Sequence, residues 1–158
     1  MGKKSSIEDR RAHGTPPTGI LVNQTGCKAF HIGSPSDSTL SDQDCIEYQY
    51  DGDSLLLLKH INAGFNCCSQ ILSDIRIEDS IITIEESEFF ENGAACDCGC
   101  LFDLDFEIRN LGPGEYAIKV IEPYVHPGEE LLQFTVSLSS SPSSGVFCAH
   151  RDCYPWGN

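Results

Sequence analysis

Residues 96 to 108 constrain this chain more than any other stretch. Read with a period of two, Cys96, Cys98, Cys100, Phe102, Leu104, Phe106 and Ile108 fall on one side, while the positions between them are mostly acidic. Alternate side chains of an extended strand point to opposite faces of a sheet, so the pattern predicts one long strand over 95–108 with a dry face and a wet face. The three cysteines continue the apolar row and are expected to point inward.

That geometry limits what the sulfurs can do. Same-face neighbours on a regular strand stand about 6.5–7 Å apart, at or beyond the Cα separation of about 4.4–6.8 Å that a disulfide spans. Cys96, Cys98 and Cys100 should therefore not bond to one another. The consecutive Cys67 and Cys68 diverge and are equally poor partners for each other. Pairing between the two groups is the natural outcome, as a disulfide or as a metal site. A tetrahedral zinc with bonds of about 2.3 Å draws its sulfurs to about 3.8 Å from one another, which three cysteines on a straight strand cannot meet. Gly99 offers a way out, because a glycine within a strand often marks a bulge, and a bulge there swings Cys98 and Cys100 towards a common centre. The leading ligand set is Cys67, Cys68, Cys98 and Cys100, with Cys96 as a substitute, and the leading cofactor is structural zinc. Sulfur-only donors also suit cuprous copper, whereas the spacings match none of the usual iron–sulfur patterns. Disulfides between the groups are the alternative, and inert thiols packed as small hydrophobes are the third reading.

Nine cysteines among 158 residues is an odd number, so one thiol remains if all the others pair within the chain. Cys148, His150 and Cys153 form a second cluster, able to hold zinc with His31 or His60 as a fourth donor; a local Cys148–Cys153 disulfide is the favoured state. Cys27 and Cys45 are a candidate further bridge, whose loop of about 18 residues would contribute about 3 kcal/mol in the chain-entropy picture. Asp51 with Asp53, and Asp103 with Asp105, have calcium-binding chemistry, but turn geometry and a solvated face explain them first. No nucleophile elbow, phosphate loop or His-Glu-x-x-His motif is present. Thiol–disulfide exchange through Cys67–Cys68 is the one enzymatic idea with residues behind it, and it requires an exposed thiolate of low pKa. The expectation is a protein that is not an enzyme.

Along the chain, residues 1–17 read as a disordered arm closed by Pro16–Pro17. Strands are expected over 18–22, 27–32, 45–50, 55–61, 71–77, 81–88, 95–108, 116–121 and 132–138. Asp51-Gly52-Asp53 is the chemistry of a tight turn, and Glu78-Asp79-Ser80 turns a further hairpin. Residues 18–138 form the domain. Residues 139–145, seven residues of Ser, Pro and Gly only, read as a flexible linker, and 146–158 as a cysteine-containing tail, too aromatic to be fully disordered.

Ten basic residues oppose 24 acidic ones, a formal charge of -14, which disfavours phosphate backbones and anionic lipid; no nucleic-acid partner is expected. A protein partner or self-association is left open. No run approaches the roughly 18 apolar residues that span a bilayer, and residues 1–19 lack the apolar core of a secretion signal. As written, the chain looks cytoplasmic. Removal of a leader would place it in the cell envelope or outside the cell.

Short strands with turn signals about every ten residues and no helical spacers predict an all-β, antiparallel β-sandwich. Leu111-Gly112-Pro113-Gly114-Glu115-Tyr116-Ala117-Ile118 resembles the Leu-x-Pro-Gly-x-Tyr turn-and-strand of immunoglobulin-like modules, which implies an immunoglobulin-like sandwich with the Tyr116 hydroxyl satisfying a nearby backbone group. Together with Cys67–Cys68 and Cys96-x-Cys98-x-Cys100, the corner resembles that of small uncharacterised bacterial envelope proteins, often lipoproteins, a family that implies no activity. The leading functional reading is a non-enzymatic metal-thiolate module; the alternative is a disulfide-stapled binding or surface-assembly domain from an oxidising compartment.

Overall fold

Alternating apolar and polar residues dominate the chain, and the computed structural model, which describes residues 14–28 and 39–156, turns that alternation into nine strands. They are β1 (Thr18–Gln24), β2 (Gln43–Tyr50), β3 (Leu56–Asn66), β4 (Gln70–Glu78), β5 (Ile81–Phe89), β6 (Gly99–Arg109), β7 (Gly114–Ile121), β8 (Gln133–Leu138) and β9 (Ser143–His150). No helix occurs among the described residues. The expected arm up to residue 13, and the expected strand beyond residue 28, lie outside them.

Two sheets form, ordered β1-β6-β3-β2-β9 and β4-β5-β7-β8. Their inward rows meet in one core: Ile46, Leu58, Phe65, Leu104 and Phe106 from the first sheet pack with Ile82, Ile84, Ile118, Val120 and Val136 from the second. The arrangement is that of a β-sandwich, with all-β class as expected. One departure concerns direction, since β5 and β7 run parallel. The reason is topological: β6, the strand between them in sequence, belongs to the other sheet, so the chain returns beside β5 in the same sense.

The long strand keeps its predicted phase only in part. Cys100, Phe102, Leu104, Phe106 and Ile108 are buried as expected, but the strand begins at Gly99, and Cys96 and Cys98 are exposed. Those residues belong to the loop by which the chain returns from the second sheet to the first. The opposite face of β6 is not simply wet either. Leu101 and Asp103 are buried as well, and residues 25–28 run alongside β6, their Thr25 and Lys28 amides donating to the carbonyls of Asp103 and Leu101, each at 2.9 Å.

Beside it, β3 carries a bulge. The register steps from His60 opposite Leu104 to Ala63 opposite Phe102, and Asn62 adopts a φ of 65°. The extra residue exchanges the faces, so Leu56, Leu58 and His60 point into the core before the bulge and Ala63 and Phe65 after it. The Asp103 carboxylate accepts the Asn62 amide at 3.2 Å and meets Lys28 Nζ at 2.8 Å.

The expected linker and tail are corrected by β9. Ser143–His150 pairs with β2 over its whole length, from Gln43 opposite His150 to Tyr50 opposite Ser143. Small residues serve close packing here: a Cβ on Gly145 would stand 2.6 Å from the Tyr48 ring. Phe147 stacks on Phe134 with ring centroids 5.0 Å apart. Beyond β9, Trp156 buries its indole against Gly64 and donates its Nε1–H to the Asn62 carbonyl at 2.7 Å.

A Gly64→Ala substitution tests that docking, because the new methyl would lie 2.6 Å from Trp156 Cζ2. Overpacking of this kind costs about 1–3 kcal/mol. Urea unfolding should show that loss, together with red-shifted emission from Trp156, the one tryptophan of the chain.

Candidate functional site

Two constellations concentrate the chemistry. The first is the cysteine framework. As β3 ends, the chain leaves the first sheet through Cys67–Cys68; as β6 begins, it returns through Cys96–Cys98. Because β3 and β6 are paired up to Asn66 opposite Gly99, the two crossings lie side by side. Asn66 ties them, its Nδ2 donating to the Cys96 carbonyl at 2.7 Å and its Oδ1 accepting the Cys68 and Cys96 amides at 3.0 and 3.1 Å. The sulfurs then pair between the groups, Cys67 with Cys98 and Cys68 with Cys96, at Cα separations of 5.8 and 5.7 Å.

Cys100, the remaining member of the expected zinc set, bonds to Cys27 at 5.4 Å between Cα atoms. All five sulfurs are therefore in disulfides, and a disulfide sulfur offers no thiolate to a soft metal. The structure brings the two groups together as expected, but with three separate bonds and no common centre. The other pairings are also revised. Cys27 does not join Cys45, and Cys148 does not join Cys153. Cys45 bonds instead to Cys148, its direct cross-strand neighbour, because the supposed tail is strand β9. Cys153 is the free cysteine. Burial, Glu129 and Asp152 push its thiol upward, away from the low pKa of an exchange nucleophile. His150 is exposed beside Asp152 and Asp42, and His31 lies outside the described residues. The acidic turn resolves as turn chemistry: Asp51 Oδ1 accepts the amides of Asp53, Ser54 and Leu55.

The second constellation is a buried ionic cluster. Asp44 is in phase with Ile46 and Tyr50 on β2, His60 with Leu56 and Leu58 on β3, and Glu86 with Ile82 and Ile84 on β5. Glu122 continues the Ile118 and Val120 row past β7, and Arg151 continues Phe147 and Ala149 past β9. All five therefore project between the sheets. Asp44, His60 and Arg151 have no exposed surface. His60 Nε2 meets Asp44 Oδ1 and Nδ1 meets Glu86 Oε1, each at 2.6 Å. Arg151 binds Asp44 Oδ2 at 2.8 Å and Glu122 Oε2 at 3.1 Å. It also donates to the Glu130 carbonyl and lies over the Trp156 ring.

Burial acts to lower the His60 pKa, but the Glu86 and Asp44 carboxylates outweigh it and hold the imidazole well above its ordinary value. Burial raises Glu86. Burial and the Asp44 charge push Glu122 well above the usual carboxylate range, against the pull of His60. Among the described residues, Glu86 Oε2 and Glu122 Oε1 are buried without a hydrogen-bond partner.

Sequence reasoning reached only His60, and then as a donor for the wrong cluster. The available signal was phase: each of the five charged or titratable residues occupies the core register of its strand. No protein-family model, curated protein or solved structure matches the chain.

Arg151→Met removes the cation that neutralises Asp44 and Glu122 and leaves buried carboxylates uncompensated. The expected cost is about 3–5 kcal/mol, measured by urea unfolding of the oxidised chain. Arg109→Met, at an exposed pair with Glu107, should change stability by less than about 1 kcal/mol.

Proposed function

We propose that this chain is a disulfide-stapled, immunoglobulin-like β-sandwich that acts in an oxidising compartment as a binding or surface-assembly module and not as an enzyme. The observation that carries the reading is the pairing of eight of the nine cysteines in four disulfides. Disulfides of this density persist outside the reducing cytoplasm. Their positions favour a structural role: they join the ends of paired strands and the loops between sheets. The immunoglobulin-like part of the reading rests on the corner, where the Tyr116 hydroxyl donates to the Gly112 carbonyl at 2.8 Å.

The raised Cys153 thiol argues against exchange chemistry. The charge of -14 argues for a protein partner or a second copy over nucleic acid. No helix among the described residues is long and apolar enough to cross a membrane.

The test is thiol counting and unfolding of the full chain purified without reductant. One alkylatable thiol per denatured chain is expected. Reduction should lower stability steeply, since loops closed over sequence separations of 28 to 103 residues are each worth about 3–5 kcal/mol when considered alone. Four or more protected but reduced thiols with stoichiometric zinc would replace this reading with the metal-thiolate one.

A further inference from the structure

We propose that Asp44, His60 and Glu122 bind a divalent cation that accepts mixed oxygen and nitrogen donors, of the zinc or manganese class, at the centre of the sandwich and without any sulfur. One donor atom from each of Asp44, His60 and Glu122 lies within 4.8 Å of the other two. His60 Nε2 stands 3.5 Å from Glu122 Oε1 and 2.6 Å from Asp44 Oδ1. Donors bound at about 2.0–2.2 Å around a tetrahedral ion stand about 3.4 Å apart. Glu122 is already at that spacing from His60, and Asp44 needs only to open slightly.

The surrounding contacts sort the donor atoms. Arg151 occupies Asp44 Oδ2 and Glu122 Oε2, which leaves Oδ1 and Oε1 directed at His60. Glu86 Oε1 holds Nδ1 at 2.6 Å, the carboxylate–histidine contact that keeps a proton on Nδ1 and presents the Nε2 lone pair to a metal. Glu122 Oε1 is the independent mark of a ligand: its side chain is 2% exposed, and the atom has no hydrogen-bond partner among the described residues.

Buried charge is tolerated when it is balanced, and either two protons, on His60 and Glu122, or one divalent cation beside a neutral imidazole offsets the excess of two negative charges that ionised Asp44, Glu86 and Glu122 hold against Arg151. Glu122 also lines a cleft of about 500 Å³ together with Glu129, Leu131 and Leu132. Three protein ligands leave a further coordination position for water or a partner's donor.

The experiment uses the full oxidised chain, stripped with EDTA and titrated calorimetrically with zinc chloride and then manganese chloride. One ion per chain is expected, with a raised thermal midpoint. Glu122→Gln should weaken binding about tenfold or more, and His150→Gln, at the exposed histidine beside Asp42 and Asp152, should leave it unchanged. Cobalt should give weak visible bands without intense thiolate charge transfer. Absence of binding, unchanged affinity in Glu122→Gln, loss in His150→Gln, or a thiolate spectrum each overturns the proposal. If Glu122→Gln fails to fold, manganese broadening of ring resonances in the wild-type chain decides: His60 supports the site, and His150 alone sinks it. The disulfide count is read separately, so failure here leaves the stapled-module reading standing.

Discussion

The charge pairing at His60 is the interaction on which both sheets depend. An imidazole with no exposed surface meets Asp44 from its own sheet and Glu86 from the opposite one, while Arg151 closes the group from the end of β9. Each of these residues sits in the inward phase of its strand. A one-residue slip of β2 or β5 would turn a carboxylate out to solvent along with the whole apolar row, leaving the imidazole buried without its partner. The cluster therefore selects register as well as holding the layers together. That selectivity comes with a large desolvation cost, which only near-complete pairing offsets.

The disulfides act where the cluster does not reach. The chain crosses between sheets beside Cys67–Cys68 and again beside Cys96–Cys98, in loops with little apolar surface to bury. Asn66 and the double staple hold these crossings against each other. Cys45–Cys148 fixes β9 to β2 at directly opposed residues, and Cys27–Cys100 ties the chain after β1 to β6. Covalent links thus secure the rim, and the buried ions and apolar rows secure the centre.

Much of this was legible in the sequence. Period-two alternation located most strands, and strand geometry showed that Cys96, Cys98 and Cys100 must find partners elsewhere, with Cys67–Cys68 the nearest candidates. Alternation alone could not tell the loop residues Cys96 and Cys98 from the strand that continues their row. The Ser-rich stretch before Val146 read as a linker because flexible tethers and closely packed strands both use small residues; only Tyr48 beside Gly145 separates the two. The parallel β5–β7 pair and the meeting of Asp44 with Arg151, 107 residues apart, follow from topology and leave no local mark. The alternation does carry one mark of the cluster, since charged residues stand in core register on five separate strands or their ends.

The disulfide framework is the central claim, and proteolysis of the unreduced full chain with mass spectrometry of the linked peptides tests it most directly, using fragmentation between Cys67 and Cys68 to resolve the double staple. The account predicts Cys27–Cys100, Cys45–Cys148, Cys67–Cys98 and Cys68–Cys96, with Cys153 alkylated. Recovery of Cys67, Cys68, Cys96 and Cys98 as unlinked, alkylated peptides would contradict it.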